Sequence, residues 1–187
     1  GEVKVFGAPA PGYSAGGHRI TVSPPPGLQT PPSSSPPAPA PPLSSLTRLT
    51  VQEARLSTVL SGRFYPASNA IDGNPATLCA STIAQSSDQW LSVHVSVPYG
   101  QSIGYVAIHN RADGNPYEGW LNPYELWLGS TLGGQSYQCV GQQTAGPGIG
   151  PFATWCGGSP VFDHVTLVLR AGTARYLTIG EIEVFAA

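Results

Sequence analysis

A block of twenty residues, 23–42, limits what the first part of this chain can fold into. Ten of these residues are proline. Proline lacks a backbone N–H and fixes φ near −65°, so the block is excluded from helix interiors and from central strands. We expect a polyproline II arm, which at about 3.1 Å per residue would span roughly 60 Å. The chain therefore divides into a strand-like segment (1–8), a connector (9–22), the arm (23–42) and a globular domain (43–187).

The two ends of the chain have nearly the same sequence. Residues 1–8 read GEVKVFGA and residues 180–187 read GEIEVFAA, with five identities and the β-branched and aromatic residues of a strand. Besides a chance match of two edge strands, two interpretations are open. The first segment is the last strand of a preceding copy of the domain, or it pairs with the sheet edge of a neighbouring chain. Both predict a head-to-tail polymer, with the assembly residues Glu2, Val3, Lys4, Val5 and Phe6.

The globular part carries short strand patterns separated by turn signals. In residues 89–97, Leu91, Val93 and Val95 alternate with polar or aromatic residues at a period of two. Similar segments follow at 105–110, 124–129, 164–170 and 176–185, and no apolar period of 3.6 residues persists. We therefore predict an all-β fold, a sandwich of about eight strands.

Charge is scarce in this chain. Charged residues make up 10% of it, the formal net charge is −2 and Lys4 is the single lysine. This composition argues against nucleic acid and anionic membrane as partners, and it suits sugars or attached glycans. The sequence has no apolar stretch of about 20 residues, so no transmembrane segment is predicted.

The three cysteines point to an oxidising compartment. Cys139 and Cys156 bracket a Gly- and Pro-rich loop, and a disulfide there would pin a hairpin, although two buried free thiols are the alternative. Cys79 is left over, either buried and inert or paired between chains. A disulfide together with the proline-rich arm predicts a secreted protein at the cell surface or in the cell wall.

Four segments carry a family resemblance. YPASNAIDGNPATLCAS, QWLSVHVSVPYGQSIGYVAIHNRAD, NPYELWLGS and RYLTIGEIEVF follow one another in this order. Over about residues 46–187 the chain resembles the discoidin, or coagulation-factor-type C, family. The resemblance implies a jelly-roll sandwich with a galactose-binding-like fold. Cys139 and Cys156 look like the disulfide of the fucose-binding lectin branch, whereas Cys79 occupies a position where many members carry Trp.

The resemblance also implies a structural Ca²⁺ ion. In the lectin branch the ion lies at a loop similar to residues 69–74 and is closed by a Glu that looks like Glu181. Calcium prefers six to eight oxygen ligands from carboxylates and carbonyls, which fits these residue types. The alternative is a turn in which Asp72 caps backbone N–H groups by itself. The predicted ligands are Asn69, Asp72, Asn74, Ser81 (or Thr82) and Glu181.

A sugar site is implied after the segment YVAIHN. Fucose-binding members use a His and two Arg beside adjacent cysteines there; this chain has a His and one Arg, without the cysteine pair. Arg111 and Asp113 are expected to pair or to brace the loop. Tyr117 and Trp120 are expected to stack on a sugar ring, or Trp120 packs over the end of the sandwich. The predicted ligand-binding residues are His109, Arg111, Asp113, Tyr117 and Trp120.

No catalytic pattern is visible. His18, His94, His109 and His164 lack the spacing of a metal site, and the chain contains no GxSxG, phosphate-loop or dinucleotide fingerprint. The sequence therefore predicts that the protein is not an enzyme.

The proline-rich arm resembles hydroxyproline-rich wall glycoproteins of plants and green algae. That resemblance implies prolyl hydroxylation and O-linked glycans, with a bare linker as the alternative. The chain has no N-x-Ser/Thr sequon, so any glycan is expected to be O-linked. The candidate positions are Ser23, Pro24, Pro25, Pro26, Thr30, Pro31, Pro32, Ser33, Ser34, Ser35, Pro36, Pro37, Pro39, Pro41 and Pro42.

Two functions follow from the sequence. The first is an extracellular structural glycoprotein that forms a head-to-tail filament or matrix with copies of itself. The alternative is a calcium-stabilised, carbohydrate-binding adhesion module on a stalk.

Overall fold

The computed structural model describes residues 41–113, 116–157 and 161–187. These contain ten β-strands, three short 3₁₀ helices and no α-helix. The 3₁₀ helices are η1 (Leu43–Ser45), η2 (Ala67–Ala70) and η3 (Pro116–Leu121). The strands are β1 (Thr50–Leu56), β2 (Cys79–Ile83), β3 (Gln89–Ser96), β4 (Ile103–His109), β5 (Tyr124–Gly129), β6 (Tyr137–Gln143), β7 (Phe152–Trp155), β8 (His164–Leu169), β9 (Tyr176–Ile179) and β10 (Glu181–Ala186).

The strands form three antiparallel sheets. Their orders are β1-β3-β8-β5-β6, β10-β4-β7 and β2-β9. The all-β prediction is confirmed, with ten strands rather than about eight. The additional strands include β2 and the two strands β6 and β7 that flank the disulfide.

The period-two pattern places the core. Leu91, Val93 and Val95 of β3 are at most 1% exposed, and Leu91 and Val93 face Leu167 and Val165 of β8 in register. Val106 and Val184, paired across β4 and β10, are fully buried in the same hydrophobic cluster. The apolar residues on one side of each of the two larger sheets therefore form a shared core.

Residues 176–185, predicted as one strand, are two strands that break at Gly180. β9 pairs with β2, whereas β10 pairs with β4. The N–H of Gly180 donates to the carbonyl of His109 at 2.9 Å. A Cβ at this position would lie 2.4 Å from the carbonyl oxygen of Pro75. Glycine thus lets the chain pass from one sheet to another under a neighbouring loop.

The Cys139–Cys156 disulfide is present, but it does not close a hairpin. Cys139 lies in β6 of the five-stranded sheet, and Cys156 directly follows β7 of the three-stranded sheet. The bond therefore ties the edges of two different sheets together. The hairpin prediction is wrong because the intervening loop carries the chain from one sheet to the other.

Cys79 is a free thiol in the core. It is fully buried in β2, and burial raises the pKa of its thiol to about 12. Of the two sequence interpretations, the buried one is confirmed, because a thiol without exposed surface cannot pair with another chain.

Most of the arm lies outside the described residues, as do the first eight. The described part begins at Pro41 and Pro42, which are exposed, and Pro42 has φ −63° and ψ 134°. These angles fall within the scatter of polyproline II. The predictions for Glu2 to Phe6 and for the glycosylation positions up to Pro39 concern residues outside the described ranges.

Candidate functional site

A small pocket opens over the two-stranded sheet. Its volume is 150 Å³, and its floor includes Ala80 of β2 and Thr178 of β9, which are paired across the two strands. Both residues are 2% exposed. Leu60, Tyr65 and Leu78 add an apolar side. We call this the aromatic pocket, because ring side chains and Arg111 form its remaining sides.

Helix η3 supplies the aromatic side of the pocket. The rings of Tyr117 and Trp120 are 4.3 Å apart between centroids, and Trp120 stacks on Tyr176 of β9 at 4.7 Å. The turn is held by Arg175, whose Nη1 donates to the carbonyl of Gly119 at 3.1 Å. Tyr117 remains 41% exposed. The three rings thus contact one another in a row, and Tyr117 is its exposed end.

Arg111 lies beneath these rings. Its side chain is 8% exposed, and Nε donates to Oδ1 of Asp113 at 2.9 Å. Its guanidinium carbon lies 5.6 Å from the ring centroids of both Tyr117 and Trp120, within cation–π range. The expected pairing with Asp113 is confirmed. The arginine braces the aromatic rings while its charge is compensated.

His109 lies apart from the other predicted sugar ligands. Its Nε2 is 3.1 Å from Oε2 of Glu183 on β10. β4 ends at His109, so the chain leaves the sheet before Arg111, and His109 does not line the aromatic pocket. The structure therefore brings together Arg111, Asp113, Tyr117 and Trp120, and places His109 beside the acidic residues of β10.

A second site forms where the loop of residues 69–77 meets the start of β10. The N–H of Gly73 donates to Oε2 of Glu181 at 3.2 Å, and the N–H of Asn74 donates to Oδ1 of Asp72 at 2.8 Å. The self-capping turn that was the alternative to a metal site is thus present. Whether a cation also fits depends on the other oxygen atoms of this loop.

The hydroxyl of Thr77 is surrounded by acceptors. Its Oγ1 lies 2.9 Å from Oδ2 of Asp72, 3.2 Å from the carbonyl oxygen of Asn69 and 2.7 Å from that of Asn74. A hydroxyl has one proton and can donate to one of these three oxygens. The carbonyl oxygen of Asn74 also accepts from the N–H of Thr77 at 3.0 Å, so Oδ2 of Asp72 and the carbonyl oxygen of Asn69 compete for the hydroxyl proton, and a hard cation would satisfy both.

Glu181 adds a buried carboxyl to this cluster. It is 3% exposed, and within the described ranges its Oε1 has no hydrogen-bond partner. Burial raises the pKa of Glu181 to about 7, with the charges of Asp72 and Glu183 acting in the same direction. Gly73 N–H and Arg48, whose Nη2 is 3.6 Å from Oε1, oppose this shift. A divalent cation would fit here because it would keep the carboxylate ionised.

The structure differs from the predicted ligand set at Ser81 and Asn69. The hydroxyl of Ser81 donates to the carbonyl of Thr82 and accepts from the N–H of Leu177, so it is engaged between β2 and β9. The side chain of Asn69 donates to the carbonyl of Leu78, leaving its main-chain carbonyl toward Thr77. Among the described residues, no three His, Cys, Asp or Glu side chains are grouped as metal ligands. A cation at this loop would therefore depend on main-chain carbonyls.

The fold is shared with carbohydrate-binding proteins of known structure. An F-lectin from striped bass (Morone saxatilis) serum has a TM-score of 0.59 and 22% identity over 76% of this chain. The lectin domain of lectinolysin, solved with Lewis b antigen, has a TM-score of 0.57 and 19% identity, covering 72% of this chain and 92% of that domain. The chain spans half the length of the striped bass lectin.

A third neighbour is the family 32 module of Clostridium perfringens NanJ, solved with galactose. Its TM-score is 0.53 at 22% identity, over 71% of this chain and 92% of that module. The chain has the jelly-roll, galactose-binding-like fold of these modules. No protein-family model matches the chain, and no curated protein matches it in sequence. None of the helices among the described residues has the length and apolar character needed to cross a membrane.

Sequence reasoning missed Thr77, Tyr176 and Thr178. Thr77 lies five residues after Asp72 and carries no metal-site pattern of its own. Tyr176 and Thr178 alternate on β9, which indicates a shared face, but the sequence does not indicate that η3 covers that face. The alternation on β9 was visible in the sequence, but the contact of β9 with η3 is visible only in the tertiary structure.

Proposed function

We propose that this protein is a non-catalytic, carbohydrate-binding module that holds a sugar in the aromatic pocket. The observation that carries this proposal is the surface formed by Tyr117 and Trp120 over Arg111, at the mouth of a pocket of 150 Å³. The carbohydrate-bound modules with the same fold support it. Of the two functions that the sequence predicts, the comparisons favour the lectin-like one.

The chemistry of the pocket suits a neutral sugar. The C–H groups on one face of a pyranose ring are apolar and pack on aromatic rings, while its hydroxyls point sideways to polar groups. Because Asp113 compensates Arg111, the pocket does not offer an unpaired positive charge to an acidic group. A pocket smaller than the roughly 300 Å³ of typical ligand sites holds one sugar residue at a time.

The binding test uses the full chain and a glycan array, followed by titration calorimetry with the strongest binders. Tyr117→Ala and Trp120→Ala are expected to weaken binding at least tenfold, since each removes part of the stacking surface. Trp155→Ala is the matched control, because Trp155 is also exposed (46%) but lies on β7, outside the pocket. Circular dichroism verifies folding of each variant. An array without any binder, or equal losses in all three variants, would contradict the proposal.

We also propose that Ca²⁺ stabilises the loop of residues 69–77. The ligands would be the carboxylates of Asp72 and Glu181, the main-chain carbonyls of Asn69 and Asn74 and the hydroxyl of Thr77. Two observations support this assignment: Oδ2 of Asp72 and the carbonyl oxygen of Asn69 share the hydroxyl of Thr77, and Oε1 of Glu181 has no hydrogen-bond partner within the described ranges. The bound ion would cross-link this loop to β10.

Thermal unfolding with added CaCl₂ or EDTA tests this assignment. A ligand at 100 times its dissociation constant adds about 2.7 kcal/mol of stability, so the melting temperature is expected to rise by several degrees. Glu181→Gln is expected to abolish the calcium response. Glu53→Gln, at an exposed position of β1, is the control and keeps it. A wild-type melting temperature that is the same in CaCl₂ and EDTA would refute the ion.

The cell-surface location and the O-glycans of the arm belong to the same proposal. The disulfide supports secretion, because such bonds persist in oxidising compartments. Mass spectrometry of the native protein tests the arm: hydroxyproline and hexose or pentose additions within residues 23–42 are expected, and an unmodified arm would contradict it.

A second candidate function is the head-to-tail filament, and one observation favours it. The sequence repeated in residues 1–8 is that of β10, the end strand of its three-stranded sheet, and the outer side of β10 already accepts a short antiparallel segment, residues 47–49. Electron microscopy of the full chain and of a variant lacking residues 1–8 tests this function. Filaments in the full chain alone would support it, and discrete particles in both would exclude it.

A further inference from the structure

Arg48 lies beside the proposed calcium site and contacts two carboxylates of β10. Its Nη1 is 2.9 Å from Oε1 of Glu183, and its Nη2 is 3.6 Å from Oε1 of Glu181. The longer distance is that of an ion pair without a hydrogen bond, and within the described ranges Oε1 of Glu181 has no hydrogen-bond partner. Oε2 of Glu181 accepts from the N–H of Gly73 in the loop of residues 69–77. Glu181 therefore has the loop at one carboxylate oxygen and the guanidinium at the other.

Strand pairing holds Arg48 in this place. Residue 48 forms an antiparallel bridge with Phe185 of β10, and main-chain hydrogen bonds of 2.8 and 2.9 Å lie on either side of the bridge. Side chains at diagonal positions of an antiparallel pair can reach each other, which explains the contact with Glu183, two positions before Phe185. The side chain of Arg48 is 51% exposed and that of Glu181 is 4% exposed. The charge of Arg48 is thus held between solvent and a buried carboxylate.

Glu181 interacts with charges of both signs. Asp72 and Glu183 act on its carboxylate as like charges, and Arg48 acts as the opposite charge. When no ion is bound, Arg48 compensates part of this negative charge. A cation on the loop side of Glu181 would meet the same guanidinium as a like charge. Removal of the charge of Arg48 therefore has two opposite effects: the protein without calcium loses stability, and the loop gains affinity for calcium.

We infer that Arg48 is a built-in counter-ion of the calcium loop, which stabilises Glu181 without the ion and lowers the affinity of the loop for Ca²⁺. The inference rests on the proposed calcium site and deepens it by naming a residue that sets the affinity. Arg48 acts through Glu181 and is not itself a ligand. Because Arg48 is half exposed, water weakens the repulsion, and an effect of about three- to tenfold on the dissociation constant is expected.

Arg48→Gln in the full chain tests both effects at neutral pH. Titration calorimetry with CaCl₂ is expected to give a dissociation constant about three- to tenfold lower than that of the wild type. Thermal unfolding in EDTA is expected to show a lower melting temperature than the wild type. A merely structural role of Arg48 would lower the melting temperature without tightening calcium binding. In 1 M NaCl, where the Debye length is about 3 Å, the difference in calcium affinity is expected to shrink.

Two control variants isolate the charge at this position. Arg48→Lys keeps a positive charge and is expected to keep the dissociation constant within about twofold of the wild type. Arg55→Gln removes the same charge from the exposed ion pair with Glu53 on β1, and it too is expected to stay within about twofold. Circular dichroism verifies folding. Arg48→Met, which keeps the aliphatic part of the side chain, provides the same test if Arg48→Gln does not fold.

The outcomes separate this inference from the calcium site itself. Calcium binding that is unchanged or weaker in Arg48→Gln would overturn the inference and leave the site standing. Equal tightening in Arg48→Gln and Arg55→Gln would show a general effect of net charge and would also overturn it. The absence of calcium binding in the wild type and in every variant would overturn the proposed ion and with it the inference.

Discussion

At the scale of single residues, Gly180 lies between the two candidate sites along the chain. It lies two positions after Thr178, which lines the pocket, and directly before Glu181, which meets the loop of residues 69–77. Its missing side chain gives space to the carbonyl of Pro75, which belongs to the loop of residues 69–77. The close approach therefore fixes the distance between that loop and β10.

Gly180→Ala is expected to destabilise the protein by about 2–3 kcal/mol, because the new Cβ would lie 2.4 Å from a main-chain oxygen that cannot move freely. Urea denaturation measures this change. Gly141→Ala in β6 is the control, since its Cβ would meet nothing within 4 Å, and a change within about 0.5 kcal/mol is expected. Similar losses in both variants would contradict the close-contact explanation.

In the candidate sites, contacts between residues close in sequence were predictable and contacts between distant residues were not. The pairing of Arg111 with Asp113 was predictable because the residues are two positions apart and of opposite charge. The contact of His109 with Glu183 was not, since 74 positions separate them and strand pairing brings them together. The place of Thr178 in the pocket was not predictable either, because it depends on which residues the tertiary structure brings around it.

At the scale of elements, the disulfide connects strands that make few other contacts with each other's sheet. β6 is the last strand of the five-stranded sheet and β7 the last of the three-stranded sheet. Neither edge has a further strand within the described ranges. The covalent bond therefore links two sheet edges that strand pairing does not join.

The double variant Cys139→Ala and Cys156→Ala is expected to lose roughly 3 kcal/mol of unfolding free energy, the magnitude for a loop of this length in the chain-entropy model. Urea denaturation with and without a reducing agent measures the loss. Reductant is expected to lower the unfolding free energy of the wild type and to leave that of the double variant unchanged. A wild type that is equally stable after complete reduction would show that the bond does not stabilise the fold.

Strand type was largely predictable, whereas strand partnership was not. The alternation in β3 fixed its buried side because a period of two has one solution for an apolar core. The break between β9 and β10 escaped prediction, since residues 176–185 have strand character on both sides of Gly180. The sheet to which each half belongs depends on pairing with β2 and β4, which lie 70 to 100 positions earlier.

At the scale of the whole molecule, an ionic network joins three strands of the larger sheet. Arg170, at the end of β8, contacts Oε2 of Glu125 on β5 at 2.5 Å and Oδ2 of Asp88, just before β3, at 2.6 Å. The hydrogen bond to Arg170 lowers the pKa of Glu125, and the N–H of Ala171 together with Arg170 lowers the pKa of Asp88. Both carboxylates are thus favoured in the folded state.

Because both pKa values are lower in the folded state, the network stabilises the protein above the ordinary carboxyl range, and this stability is lost as pH falls below about 4. Urea denaturation between pH 7 and pH 2.5 measures the dependence. Arg170→Gln is expected to flatten the acid part of the curve, and Arg55→Gln, in an exposed ion pair, is expected to leave it unchanged. Parallel curves for all three proteins would contradict this account.

The compensated charge of Arg111 has a consequence for the medium in which the protein can work. Association that is not steered by opposite charges is insensitive to ionic strength, whereas a site with an open positive charge weakens as the Debye length shrinks from about 10 Å at 0.1 M to about 3 Å at 1 M salt. Since Asp113 pairs with Arg111, the proposed binding of a neutral sugar would depend on contacts that salt does not screen. The proposed sugar binding is therefore expected to be equally strong in dilute and in concentrated salt.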